Sequence, residues 1–199
     1  MKETLEYNKR FGPGKNVFRR YKKLINATSS LLSILPRSIR ISLWHFTNVF
    51  PEKMGIGIRY CLLKTLIASC GDNVYIGRYV EIRGWERLTI GTNVSIHTMC
   101  YIDATGGISI EDHVSIAHQT SLLSFEHCWD NIDIPIKYNP IVEKPIHISE
   151  DVWVGAGARL LAGVHIENRV IIAAGAVVKG HIHTKGIYGG IPAKRIKEI

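Results

Sequence analysis

The side chains best suited to chemistry in this chain of 199 residues are nine histidines and four cysteines. A neutral imidazole, with an ordinary pKa of about 6.5, suits a general base, and a thiolate suits a nucleophile or a metal ligand. His127 has a distinctive place. It stands between Glu126 and Cys128 near the start of SFEHCWDNIDIPIKYNPIVEKP, residues 124–145, where an otherwise regular pattern lapses. Cys61, Cys70, Cys100 and Cys128 form no CxxC pair and no regular framework, which points to reduced thiols in a cytosolic protein. No P-loop or dinucleotide-type glycine motif is present.

The elements that must position these groups announce themselves by a period of six. Ile148, Val154, Leu160, Ile166, Ile172 and Val178 are aliphatic at six-residue steps, and Val152, Ala158, Val164, Val170, Ala176 and Ile182 form a second register four places on. A helical period of 3.6 does not hold one register aliphatic at steps of six, and strand alternation alone does not single out every third inward site. Fixed hexads predict a parallel β-helix in which each short strand points one large residue inward and each bend takes a small one. The ladder starts near Gly71 with Ile76 and Ile82. It slips by two residues between Leu88 and Ile90, runs through Ile96 and Ile102, slips again between Ile108 and Ile110, and continues through Ile116 to Leu122. Corners of the coil can house such slips, and five to six coils result.

Residues 124–145 interrupt the ladder with three prolines and several charges before Ile148 restarts it. A long insertion without secondary structure in a compact repeat is usually functional. Ahead of the coils, residues 1–70 read as a basic, partly helical extension, with 71–199 as the repeat domain. Residues 1–60 hold 12 Lys/Arg against 3 Asp/Glu, whereas 61–199 hold 13 against 14. A loose basic tail over 1–16 is expected to lead into a helix from about Val17 to Leu35, stopped by Pro36, and a second helix is expected over Lys53–Ser69. The extension suits a cap over the end of the coils, and its charge also suits an anionic membrane surface. No apolar run has the roughly 18–20 residues of a membrane span. A cytoplasmic location follows, with contact at the inner membrane surface an option. The basic residues carry no nucleic-acid-binding motif.

Three stretches carry a resemblance to a known family: ISIEDHVSIAHQTSLLSFEH, VWVGAGARLLAGVHIENRVIIAAGAVV and the tail YGGIPAKRIKEI. Over about 72–199 the chain resembles the hexapeptide-repeat acyltransferases. It is most similar to the galactoside, maltose and nodulation acetyltransferases and to the O-acetyltransferases of surface-polysaccharide pathways. The resemblance implies a left-handed parallel β-helix, acetyl-CoA as acyl donor, a sugar or glycan hydroxyl as acceptor, and a homotrimer with its sites between subunits. It makes His127 the general base for direct transfer, so that Cys128 carries no acyl group. It also places Asp103, His97 and Trp153 near the acceptor, with His97 and Asp103 facing outward from the core. Coenzyme contacts are implied at Ala156 and Ala174 through the backbone, and at Lys179, Lys194 and Lys197 through phosphates. An N–H near Ala156 becomes the oxyanion donor. Glu126 is a candidate for orienting the base. His118, read as a strand residue, suits a packing or surface role.

Other chemistries on the same type of coil compete. A γ-class carbonic anhydrase needs three zinc-binding histidines, and the residue five places after His118 is Leu123, which breaks that pattern; no metal is expected. A non-catalytic scaffold would lack the base and the coenzyme-closing tail, and both are present. Serine and antibiotic acetyltransferases also share the coils, and the basic extension favours a glycan or glycolipid acceptor.

Overall fold

A computed structural model describes residues 13–199, and most of the expected basic tail lies outside the described residues. The chain divides into two compact units, 1–65 and 66–199.

The first unit is helical, with α1 Pro13–Ser33, α2 Arg37–Phe46 and α3 Glu52–Leu66. Pro36 ends the first helical pattern and sits at the N-cap of α2, where a fixed φ and a missing N–H are tolerated. The helix α2 was not foreseen; α3 stops three residues short of the expected end because Ser69 and Cys70 already pair as a strand. The ring of Phe18 meets Tyr60 edge-on at 5.9 Å, and Cys61 Sγ donates to Ile25 O at 3.7 Å, so α1 packs along α3. Gly55 leaves room for the buried Arg59 guanidinium, since a Cβ there would lie 2.6 Å from its Nη1.

The second unit is mainly β, a solenoid of about six coils with three parallel sheets as its faces. Inward residues stack in register. The first face carries Cys70, Ile90, Ile110, Ile148, Ile166 and Ile182. The second carries Ile76, Ile96, Ile116, Val154, Ile172 and Tyr188. The third carries Ile82, Ile102, Leu122, Leu160 and Val178. Most are fully buried, and each aliphatic side chain so removed from water stabilises the fold by roughly 1.5–3 kcal/mol. Ile182 belongs to the first-face stack and not to the small-residue register expected for it. The corner from Val178 to Ile182 spans four residues where its neighbour from Leu160 to Ile166 spans six.

The small-residue register explains the bends. Val94, Cys100, Val114, Thr120, Val152, Ala158, Val170 and Ala176 are buried at the corners. Before each stands a residue with positive φ: Asn93, Met99, His113, Gln119, Asp151, Gly157, Arg169 and Gly175. The left-handed conformation costs an L-residue on the order of 1–2 kcal/mol. Backbone bonds between successive coils hold it in place, as from Gln119 N to Thr98 O (3.0 Å) and Gly157 N to His118 O (2.9 Å).

All the irregular corners fall between the third face and the first. Trp85–Arg87 forms a 3-10 turn there, Gly106 and Gly107 turn the next coil, and the stretch after Leu123 leaves the solenoid at the same corner. That stretch is not structureless. Phe125–His127 pairs antiparallel with Ile141–Glu143, making a protruding hairpin arm with a short 3-10 turn at Ile136–Tyr138.

Candidate active site

The arm is fixed at its neck by a buried serine. Ser124 Oγ donates to Asp103 O at 2.7 Å and accepts from Gly106 N at 2.8 Å, while Lys144 N donates to Ser124 O at 2.8 Å. Gly106 is required here, because a Cβ would lie 2.0 Å from Ser124 O. Beyond the neck the strands pair Phe125 with Glu143, Glu126 with Val142 and His127 with Ile141. Asn139, buried in the distal loop, donates to Asn131 O and Ile134 O at 3.2 and 3.3 Å and shapes the tip. Trp129, Ile132, Ile136 and Tyr138 are exposed around it.

His127 is exposed at the end of the first arm strand, with the Phe125 ring 6.3 Å away on the same side. Glu126 does not meet it. Alternation sends the two side chains to opposite sides of the hairpin, and Glu126 forms an ion pair with Lys144. Cys128 is half-buried, and its N–H donates to Pro140 O at 2.9 Å.

Asp103, expected to face outward, is 3% exposed. Its Oδ1 accepts from Thr105 Oγ1 at 2.6 Å and from Thr105 N at 3.1 Å, and Oδ2 accepts from Tyr101 OH at 3.3 Å. The carboxylate therefore closes the turn beneath the arm. His97 is exposed as expected, 5.3 Å from the Tyr75 ring. Partial desolvation and the neighbouring His118 hold its pKa below the ordinary value. His118 occupies a turn after the strand Ser115–Ile116, not a strand.

The corner between the second and third faces brings Thr98, His118, Ala156 and Ala174 into one column, with His97 one residue ahead of it. His97 N donates to Ile116 O, Ala117 N to Val154 O and Gly155 N to Ile172 O, which sets successive coils in step. Gly155 allows this close stacking, since a Cβ there would lie 2.6 Å from Ala174 N. Among the described residues, nothing accepts from the backbone N–H groups of Thr98, His118, Ala156 and Ala174. A row of open donors beside small side chains suits a chain of amide carbonyls, and one such donor can hold an oxyanion. Sequence reasoning named Ala156 and Ala174 but missed Thr98, although its place two residues after Ile96 repeats that of Ala156 after Val154.

Trp153 is 53% exposed on the second face, paired in register with Ser115 and Ile171 just before this corner. Lys179 is exposed after the last third-face strand. Lys194 and Lys197 are exposed on the closing strand Lys194–Lys197, which returns antiparallel along Gly186–Gly189. One chain thus carries its imidazole at the corner after the third face and its open amides at the corner before it. The strand pair Ser121–Leu122 and Arg159–Leu160 lies between them.

Residues 145–180 match the family model described as bacterial transferase hexapeptide (six repeats). A Staphylococcus aureus (strain COL) protein named as an acetyltransferase is 31% identical over 144 residues, covering 69% of this chain and 68% of its own. An Escherichia coli (strain K12) protein named for O-acetyl transfer in lipopolysaccharide biosynthesis is 28% identical over 144 residues, covering 72% and 67%. A Mycobacterium tuberculosis protein named as an acetyltransferase is 34% identical over 128 residues, 64% of this chain; the match spans only 43% of that relative's length. Among solved structures, a hexapeptide-repeat acetyltransferase of Vibrio cholerae complexed with acetyl-CoA superposes with a TM-score of 0.69 at 22% identity, covering 88% and 87%. The repeat, the stacked coils and these relatives agree, and the chain belongs to the hexapeptide-repeat acetyltransferases.

Proposed function

We propose that the chain moves an acetyl group from acetyl-CoA to a hydroxyl of a sugar or glycan, with His127 as general base, at sites shared between neighbouring protomers of a homotrimer. The observation that carries this reading is the separation of the two half-sites within one chain. His127 is on an arm that leaves the solenoid, and the open amides of Ala156 and Ala174 lie across the third face from it. An arm that reaches outward serves a groove on another copy, and cyclic symmetry then repeats the site three times.

In that groove the pantetheine amides lie along the Thr98–Ala174 column and the thioester carbonyl faces the Ala156 N–H. His127 takes the proton of the acceptor hydroxyl as its oxygen attacks the carbonyl carbon. The tetrahedral oxyanion is held by the backbone donor. Its collapse breaks the C–S bond, and the leaving thiolate takes the proton back from the imidazolium. Lys179, Lys194 and Lys197 meet the coenzyme phosphates, and Trp153 and His97 flank the acceptor. The name of the Escherichia coli relative, O-acetyl transfer in lipopolysaccharide biosynthesis, supports a glycan acceptor.

Coenzyme release measured against nucleotide sugars, oligosaccharides and serine tests the acceptor: turnover with a sugar is expected, and turnover with serine alone overturns it. Mixed trimers test the shared site. Combining inactive H127A protomers with inactive protomers blocked at Ala156 (A156W) restores activity if neighbours complement one another, and a mixture that stays inactive refutes sharing.

No described helix is long and apolar enough to cross a membrane. The first unit nevertheless exposes Leu24, Leu31, Ile34, Ile39 and Phe46 amid its basic residues, which suits a glycolipid acceptor presented at an anionic surface. Flotation with phosphatidylserine vesicles, full chain against residues 66–199, tests this; equal recovery of both rejects it.

A further inference from the structure

The outward side of the first face carries a column of imidazoles that acyl transfer leaves unused. His147, His165 and His181 lie in register on neighbouring strands, each one residue before an inward isoleucine. The rings of His147 and His165 meet edge-on at 4.7 Å, those of His165 and His181 stack at 4.2 Å, and His183 lies 3.5 Å from His181. Glu167 reaches into the column, its Oε1 2.9 Å from His181 Nε2 and 3.6 Å from His165 Nε2. Glu111 Oε1 stands 3.1 Å from His147 Nε2 on the rung before.

We propose that His165, Glu167 and His181 bind a divalent transition-metal ion of the zinc type. One ligand atom from each of the three lies within 4.8 Å of the others. A tetrahedral ion with ligands at about 2.0–2.1 Å separates its ligand atoms by about 3.3–3.4 Å. The two edges to Glu167, 2.9 and 3.6 Å, bracket that value. The remaining edge closes by rotation of a side chain, since His181 is exposed and His165 and Glu167 are half-buried. Two imidazoles and a carboxylate suit zinc and its neighbours over magnesium or calcium, which favour all-oxygen sets. The fourth position is left for water or His183.

The ligands come from two successive coils near the end of the solenoid. His181–Ile182 is the last strand of its sheet, and a terminal strand has an unpaired edge with one neighbour only. An ion held by Glu167 and His165 on one coil and His181 on the next joins that edge strand to the stack. Binding to the folded chain alone raises stability by mass action. The ion has no place in acyl transfer, because the open amide column lies at another corner. This site departs from the sequence-based expectation of no metal, which rested on the spacing around His118.

The test uses the full chain after treatment with EDTA, titrated with ZnCl2 by calorimetry and with Co2+ by absorption. Saturable binding of one ion per chain is expected, with visible d–d bands and no thiolate charge-transfer band. H165A and H181A each weaken binding by more than the roughly 10–100-fold that loss of an outer-sphere partner costs, with unchanged circular dichroism. Zinc raises the Tm of the wild type and leaves that of H181A in place. Absence of saturable binding, a thiolate band in the wild-type cobalt spectrum, or equal affinity in the H165A/H181A double variant overturns the site.

Discussion

His127 and Ile141 stand opposite one another in the antiparallel pair that builds the arm, and the next residue, Cys128, donates its N–H to Pro140 O. The imidazole is therefore carried by paired backbone and not by a free loop. Replacing it should leave the arm intact and remove the proposed base. His127→Ala is expected to lower kcat by about 10² or more with little change in acetyl-CoA affinity. Coenzyme release and calorimetry check the two halves of this statement, and near-normal turnover would falsify the assignment.

Two glycines two residues apart at one corner, Gly155 and Gly157, should respond differently to alanine. At Gly155 a Cβ would lie 2.6 Å from Ala174 N and 2.7 Å from Ile172 O, both backbone atoms that cannot swing aside. Overpacking of this kind costs about 1–3 kcal/mol or more. At Gly157 the added methyl meets nothing within 4 Å, and only its φ of +68° is strained, for about 1–2 kcal/mol. Urea denaturation of the two variants should rank G155A below G157A, with G155A alone disturbing coenzyme binding.

Cys100 is buried in the corner register, where Sγ donates to Ala117 O at 3.2 Å, and burial pushes its thiol up to about 11 even though backbone hydrogen bonds from Thr120 and Gln119 favour the thiolate. At pH 8 the folded protein should leave this thiol unmodified by a disulfide reagent while the half-buried Cys70 and Cys128 react. Denaturation should then release it. Mass mapping of the labelled cysteines reads the outcome, and rapid labelling of Cys100 in the folded state would contradict its placement.

The pH dependence of stability carries a signature of His97. Partial desolvation and the nearby His118 depress its pKa in the folded protein, so the unfolded chain binds the proton first as pH falls. Its contribution is complete above the ordinary value of about 6.5 and is lost as pH drops through the depressed folded value. Urea midpoints for the wild type should fall between about pH 8 and pH 5, and H97Q should fall less. Parallel pH curves for the two proteins would remove His97 from the account.

The coils were legible because their physics is local and repeated: one inward aliphatic per strand and one small residue per bend, as in Ile148 to Val178. The arm was not, because its strands, Phe125–His127 and Ile141–Glu143, are only three residues each, too short to show an alternation, and the second lies between Pro140 and Pro145. Asp103 stands beside an inward isoleucine, so position alone suggests an exposed side chain. Its burial depends on Tyr101, Thr105 and the turn they complete, a three-body arrangement that no spacing rule encodes. The imidazole column escaped for an arithmetic reason. His147 and His165 are three hexads apart, but the short corner before His181 breaks the period, so the three rings align only once the coils are stacked.

The neck of the arm has a last consequence. Lys144 returns to Ser124, Ile146 to Gly107 and Gly163 to Lys144 through backbone bonds of 2.8 to 3.1 Å, so the ladder re-forms from Ile108 to Ile146 as though nothing intervened. Everything distal to that clasp behaves as an interchangeable cassette. Exchanging its length and tip between family members is therefore expected to redirect acceptor choice under the proposed function, while the stacked scaffold keeps its own melting temperature.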